Sequence, residues 1–244
     1  MPTAGLIGGT GDLGTALSVH LVNGFDAVLL GSREKQKAEA TVKKIIGDSS
    51  SSSKESSPEV KDKLKPATNQ EVAESADVLF ATLPAKHAID AIKELSGHFR
   101  GNQLLICTAA PTPKVGSEYL PTLGNNDGGE GRDSITQSIK KIFALHSIEV
   151  AAAFQTVPAI ALAGKEKFEA ADVPVSCDDP ETYEKVAKIV RQIPGLRPLY
   201  VGNLELSGMV EGLTSILLDV GMHNHMKSPT IRFNASVPSS SSTS

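Results

Sequence analysis

Apolar residues fall into two rhythms along this chain. Short unbroken apolar runs alternate with longer stretches in which apolar residues recur every three or four positions. The first run, Ala4-Gly5-Leu6-Ile7, enters Gly8-Gly9-Thr10-Gly11-Asp12-Leu13-Gly14, and an amphipathic stretch from Leu13 to Val22 follows at once. Ala27 to Arg33 then reads as a second strand. Glu34 to Ile46 reads as a helix, with Ala38, Val42 and Ile45 on one face and a stop at Gly47. Leu64 to Thr68, Asp77 to Ala81, Gln103 to Cys107 and Ile148 to Phe154 continue as strands. Helices are predicted between them: Gln70 to Ala76 capped by Asn69, Ala85 to Leu95, and one capped by Asp133 that runs through Phe143.

Composition shifts beyond Phe154. Val173 to Cys177 predicts a strand, Glu181 to Ile193 a helix opened by Pro180, and Gly195 to Val201 a short strand. Leu204 to about Met222 predicts a long apolar helix, and Ile231-Arg232-Phe233 an edge strand. Strands alternating with helices predict an α/β fold with a Rossmann-type doubly wound, mostly parallel sheet. The division expected is residues 1–154 as a dinucleotide-binding domain, 155–234 as a small C-terminal α/β subdomain, and 235–244 as a frayed serine tail. The serine-rich stretch 48–58 cannot bury apolar surface and reads as a mobile insertion. The Gly- and Pro-rich stretch 112–133 reads as a loop, a flap over the site.

Gly9, Gly11 and Gly14 make G-x-G-x-x-G between a strand and a helix, the context in which that spacing binds dinucleotides. Gly9 permits the turn, Gly11 lets backbone approach a pyrophosphate, and Gly14 lets the helix pack on its strand. The helix N-terminus offers free N–H groups to the phosphates, and Thr10 adds a hydroxyl. The end of the second strand decides which dinucleotide. An NAD site places a carboxylate there, whereas this chain has Ser32 and Arg33, with Lys37 one turn on. A hydroxyl, a guanidinium and an ammonium suit the 2′-phosphate of NADP. Cations alone are unfavourable at a helix N-terminus. Leu83 and Pro84 follow the fourth strand at the edge where ligands sit. His87, one turn further, is placed either to reach the cofactor or simply to begin a surface helix.

With 244 residues, a net charge of −4 and few aromatics, the chain excludes a mainly nucleic-acid partner. No apolar run is long enough to span a membrane, and the glycine motif starts too near Met1 for a leader to precede it, so a cytoplasmic protein is expected. Cys107 and Cys177 lie in apolar runs and read as buried thiols; no metal spacing is present.

These residues resemble a known family, the NADPH-dependent coenzyme F420 reductases. The likeness rests on Gly8 to Gly14, Gly31-Ser32-Arg33, Leu83-Pro84 with His87-Ala88-Ile89-Asp90, and Thr156-x-Pro158-Ala159. It continues through Asp172-Val173-Pro174-Val175, Asp178-Asp179, Gly195 to Leu199, Val210 to Thr214 and Ile231 to Phe233. The resemblance implies a cytoplasmic homodimer that moves hydride between NADP(H) and the deazaflavin F420, its C-terminal part completing the deazaflavin cleft. It implies that Thr10, Gly11, Asp12 and Leu13 cradle the pyrophosphate, and that Ser32, Arg33 and Lys37 hold the 2′-phosphate. It further implies that Leu83, His87, Ala110 and Ala159 line the cofactor site, that Val157 spaces the two rings, and that Thr214 hydrogen-bonds near the deazaflavin. Two positions around the deazaflavin depart from the family pattern: Gln155 replaces a histidine and Gly212 a serine. Gln155 donates and accepts hydrogen bonds but cannot take up and release a proton at neutral pH as histidine does, so an altered rate or acceptor preference is expected. The alternatives are an NADPH-dependent reductase of an imine, flavin or ferric chelate, and a non-catalytic NADP sensor.

Overall fold

The computed structural model describes residues 2–47, 58–120, 133–164 and 170–235. The serine stretch up to residue 57, the greater part of the 112–133 loop and the tail beyond 235 lie outside the described residues.

The first apolar run forms β1 (Thr3–Ile7), followed by α1 (Asp12–Leu21), β2 (Ala27–Ser32), α2 (Lys35–Gly47) and a short α3 (Pro58–Lys63). Then come β3 (Leu64–Thr68), α4 (Asn69–Ser75), β4 (Val78–Ala81), α5 (Ala85–Leu95) and β5 (Leu104–Cys107). A small hairpin, β6 (Lys114–Val115) and β7 (Glu118–Tyr119), precedes α6 (Ile135–Ile142), β8 (Glu149–Ala152) and α7 (Ala159–Leu162). The chain ends with β9 (Ala171–Cys177), α8 (Pro180–Arg191), β10 (Leu196–Gly202) and α9 (Ser207–His223).

Eight strands form one sheet in the order β10-β9-β8-β5-β4-β1-β2-β3. Every pairing is parallel except β8 with β9. The C-terminal strands β9 and β10 therefore extend the same sheet in the reverse direction. Their amino ends, carrying Asp172 and Arg197, lie at the edge where β1, β4, β5 and β8 end.

The central strands β4 and β5 are unbroken apolar runs because both faces are covered, whereas the edge strands β3 and β10 carry exposed polar positions. In β4, Phe80 points into the core that holds Leu17, Val42 and Val186, while Leu79 points into the core that holds Val72, Ile92 and Ile139. Two expected caps shift by one residue. Thr68, not Asn69, accepts from Glu71 N–H, and the Glu71 carboxylate accepts from Thr68 N–H in return. Ser134, not Asp133, caps α6 through the same reciprocal pair with Gln137. Ile231 to Phe233 is not a strand. It is an extended segment held against β9 by Asp172 N–H donating to Ile231 O at 2.8 Å.

Candidate functional site

The turn after β1 is fixed from inside. Gly8 has φ +75°, a conformation that favours glycine, and its N–H donates to Asn69 Oδ1 at 3.0 Å. The buried Asn69, read from sequence as a helix cap, is thus the residue that holds the turn; no local pattern marks that contact. A Cβ on Gly14 would lie 2.6 Å from Gly9 Cα and Gly9 O, so packing of α1 on the turn requires glycine there. Gly11 differs. A Cβ there would meet nothing nearer than Gly8 O at 3.8 Å, so the protein's own packing does not demand glycine at that position. Its open, exposed backbone precedes Asp12, Leu13 and Gly14, whose N–H groups start α1 with no side-chain cap. Exposed backbone and unpartnered donors at a helix start fit the pyrophosphate of a dinucleotide.

Ser32, buried at the end of β2, accepts weakly from Glu34 N–H at 3.4 Å. Arg33 and Lys37 are exposed, and no ion pair to either is present among the described residues. Lys35, between them, is taken by Glu71 at 2.7 Å, a contact that raises the lysine pKa and lowers that of the carboxyl. Two cations therefore flank a buried hydroxyl without a local counter-ion, which fits a 2′-phosphate.

At the carboxyl edge three side chains reinforce the last rungs of the backbone ladder. Thr82 donates from Oγ1 to Ile7 O at 3.0 Å, tying β4 to β1. Thr108 donates to Ala81 O at 3.0 Å, tying β5 to β4. Gln155 donates from Nε2 to Cys107 O at 2.9 Å, tying the end of β8 to β5. Cys107 O only accepts, so the Gln155 amide is oriented with Oε1 turned away. That oxygen is buried and without a hydrogen-bond partner among the described residues. Such an atom costs about 1–3 kcal/mol unless something satisfies it.

Beyond β8 lies a cavity of about 410 Å³. Gln155, Val157 and Thr214 line it, with Leu217, Leu218 and Met222 of α9 supplying an apolar wall. Its size falls in the range of about 300–1,000 Å³ usual for small-molecule sites. Thr214 donates from Oγ1 to Gln155 O at 2.9 Å, so its proton is committed and its lone pairs remain as acceptors. Gly212 is buried on α9 but is not among the lining residues, so only one of the two departures, Gln155, faces this cavity.

The other expected positions are more scattered. Leu83 packs against Gly8, where an added Cβ would come within 2.6 Å of its Cδ2. His87 is exposed in the first turn of α5, and its ring makes no hydrogen bond among the described residues. Ala110 and Ala159 are half-buried beyond β5 and at the start of α7, outside the cavity lining.

A buried carboxylate sets α9 in place. Glu211, 1% exposed, accepts from Ile135 N–H, from Thr136 N–H and from Thr136 Oγ1 at 3.1, 2.9 and 2.8 Å. Those donors belong to the first turn of α6, and Ser134 and Ser207 share a further bond of 2.6 Å. Burial pushes the Glu211 carboxyl above its ordinary range, against the hydrogen bonds that hold it down. A lone Glu in an apolar helix was the only sequence signal for this contact. Burial also pushes the Cys107 thiol up to about 12, which makes it inert. Among the described residues no group of His, Cys, Asp and Glu could hold a metal, and no helix is long and apolar enough to cross a membrane.

Fold and edge define a Rossmann-type α/β protein with a dinucleotide turn and a cavity on the same sheet edge. Comparison with known proteins narrows this. The family model "NADP oxidoreductase coenzyme F420-dependent" matches residues 3–111. The F420-dependent NADP reductase of Methanocaldococcus jannaschii is 28% identical over 233 residues, covering 93% of this chain and 96% of that protein. A candidate F420-dependent NADP reductase from Arthrobacter sp. FB24 superposes with a TM-score of 0.73 at 18% identity, covering 96% of this chain and all of that one. An imine reductase from Bacillus cereus shares the fold at a TM-score of 0.57 and 13% identity, with 62% of its length covered. The chain is therefore similar to the F420-dependent NADP oxidoreductases from its first strand into its C-terminal helix.

Proposed function

We propose that this protein is an NADP-dependent oxidoreductase that transfers hydride reversibly between NADP(H) and the deazaflavin coenzyme F420. One observation carries the reading beyond the dinucleotide turn. The 410 Å³ cavity lies on the same sheet edge as that turn, in the C-terminal part of the chain that the 28% identical reductase also covers. The cavity begins at β8, three strands from β1, about 14 Å away by strand spacing. A dinucleotide laid along the edge from Gly11 brings its nicotinamide end toward that cavity. A plain NADP sensor has no need of such a space, which favours catalysis.

The residues take the following roles. Main-chain donors of Thr10 to Leu13, with Gly9 and Gly14 shaping the turn, hold the pyrophosphate. Ser32, Arg33 and Lys37 hold the 2′-phosphate. Leu83, His87, Ala110 and Ala159 flank the path of the cofactor. Bound NADPH supplies the hydride. Val157, 5% exposed, sets the depth to which a ring enters the cavity, and the apolar α9 wall excludes water. Gln155 borders the cavity, and the Thr214 lone pairs offer acceptors to N–H and O–H groups on the ring. No general acid is placed there, and alignment of two rings in a dry cleft is the main requirement of this chemistry. Residues 155–234 act as the acceptor-binding unit, and the active form is a cytoplasmic homodimer.

The test is a panel of acceptors with NADPH: coenzyme F420, FMN, a ferric chelate and a cyclic imine. NADPH oxidation with F420 far exceeding that with the other three supports the proposal. Oxidation with the imine, flavin or chelate and none with F420 overturns it.

A further inference from the structure

The cavity's outer wall is not made by a regular element. Met226, Ser228 and Pro229 line it, and they belong to the segment that leaves α9. That segment turns back through two left-handed residues, His225 at φ +53° and Ser228 at φ +44°. Its near end is held to α9 by Met226 N–H donating to Gly221 O at 2.9 Å, with Pro229 packed close to Gly221. The far end is fastened by one buried carboxylate. Asp172, 2% exposed at the start of β9, receives Arg197 Nε on Oδ1 at 2.7 Å and Arg197 Nη2 on Oδ2 at 2.8 Å. Phe233 N–H also donates to Oδ2, at 2.6 Å. Arg197 Nη2 in turn donates to Phe233 O at 2.6 Å, and Asp172 N–H donates to Ile231 O at 2.8 Å. Asp172 O accepts from Thr156 Oγ1 at 3.4 Å, and Thr156 also lines the cavity. One residue therefore touches both the strap and the β8 side of the same cavity.

We propose that Asp172 and Arg197 are positioning residues: they latch the segment Met226–Phe233 across the acceptor cavity and so set the affinity for the acceptor, not for NADPH. This rests on the reading that the cavity takes the acceptor's ring. Both partners sit on the two reversed strands, which is why the latch lies at the ligand edge although it comes from strand starts. The geometry makes the latch sensitive to a single atom. Three donors converge on the two oxygens, so an amide at position 172 turns at least one donor against another donor. A wall that must be ordered on binding lowers affinity without altering the step that follows.

The test uses the full-length chain with Asp172→Asn and Arg197→Gln, the second chosen because the arginine is half exposed and its loss leaves the core intact. Three quantities are read: KM for F420 at saturating NADPH, the Kd for NADPH, and hydrogen exchange of the amides of residues 231–233. Expected is faster exchange at those amides and a KM for F420 raised about tenfold or more, with kcat and the NADPH Kd near wild type. An unchanged KM for F420 despite loosened amides overturns the latch, as does an equal loss of NADPH binding, which would mean a general structural role. A wild-type protein that does not turn over F420 at all refutes the proposed function instead, and the affinity claim falls with it.

Discussion

Glycines 11 and 14 make the same motif, yet the structure assigns them different reasons for being glycine, and alanine separates them. At Gly14 an added methyl lies 2.6 Å from two backbone atoms of Gly9, neither of which is free to move. Overpacking of this kind costs about 1–3 kcal/mol. For a chain of this size that is a fall in Tm of roughly 2–12 °C. At Gly11 the methyl meets nothing within 3.8 Å, and φ −78°, ψ 171° is open to alanine. Replacing glycine by alanine at a helix cap costs about 0.5 kcal/mol, which is a shift of about 1–2 °C. The same methyl stands where a phosphate would approach the backbone. Losing one or two charge-assisted bonds of about 1.5 kcal/mol each raises the NADPH Kd by roughly tenfold to a hundredfold. Thermal melts and fluorescence titration with NADPH read both quantities on the same samples. Gly11→Ala should be stable and bind poorly, while Gly14→Ala should be unstable. If Gly11→Ala binds NADPH as wild type does, no phosphate comes to that turn and the reasoning fails.

Other consequences follow from the same geometry. Arg33→Ser should weaken NADPH binding about tenfold and leave NADH binding unchanged, because one exposed charge-assisted contact is lost; equal losses for the two would contradict a 2′-phosphate site. Gln155→His should change turnover with F420 and spare NADPH binding, since Gln155 faces the acceptor cavity; turnover identical to wild type would remove Gln155 from the site. Arg197 and Phe233 N–H hold the Asp172 carboxyl below its ordinary 3.8, so this group stabilises the fold fully above that value and the benefit is lost as pH falls through the lower folded pKa. Urea midpoints should therefore favour wild type over Asp172→Asn at neutral pH and converge in acid; a constant gap would show that the carboxylate's charge is not what stabilises.

Much of the fold was legible because local signals agreed with the global pattern. Leu64–Thr68 and Ala85–Leu95 have the predicted bounds, the first punctuated by a cap and the second preceded by Pro84. Both misplaced caps were readable. Thr68 with Glu71, and Ser134 with Gln137, each have the three-residue spacing of a capping box, which outranks a lone Asn or Asp. The reversal of β9 and β10 was not readable, because whether a strand joins the sheet parallel or antiparallel is a tertiary outcome that its own apolar pattern does not mark. Nor was the cavity. Its walls come from Gln155–Pro158, from α9 and from the segment after α9, which only the fold brings together. The resemblance singled out Gln155, Val157 and Thr214, and these three do converge there. Asn69, Glu211 and Asp172 act through side-chain contacts 25 or more residues away in sequence and carry no periodic or motif signature.

The proposed reaction is direct hydride transfer from NADPH to the deazaflavin. Mixing the protein with F420 and NADPH deuterated at the transferring position of nicotinamide C4, with NADH in parallel, tests it most directly. Rapid loss of the oxidised deazaflavin's visible absorbance is expected with NADPH and little with NADH, together with deuterium in the reduced deazaflavin. Absence of bleaching while NADPH remains tightly bound, or a reduced product that carries solvent hydrogen in place of the label, would contradict it.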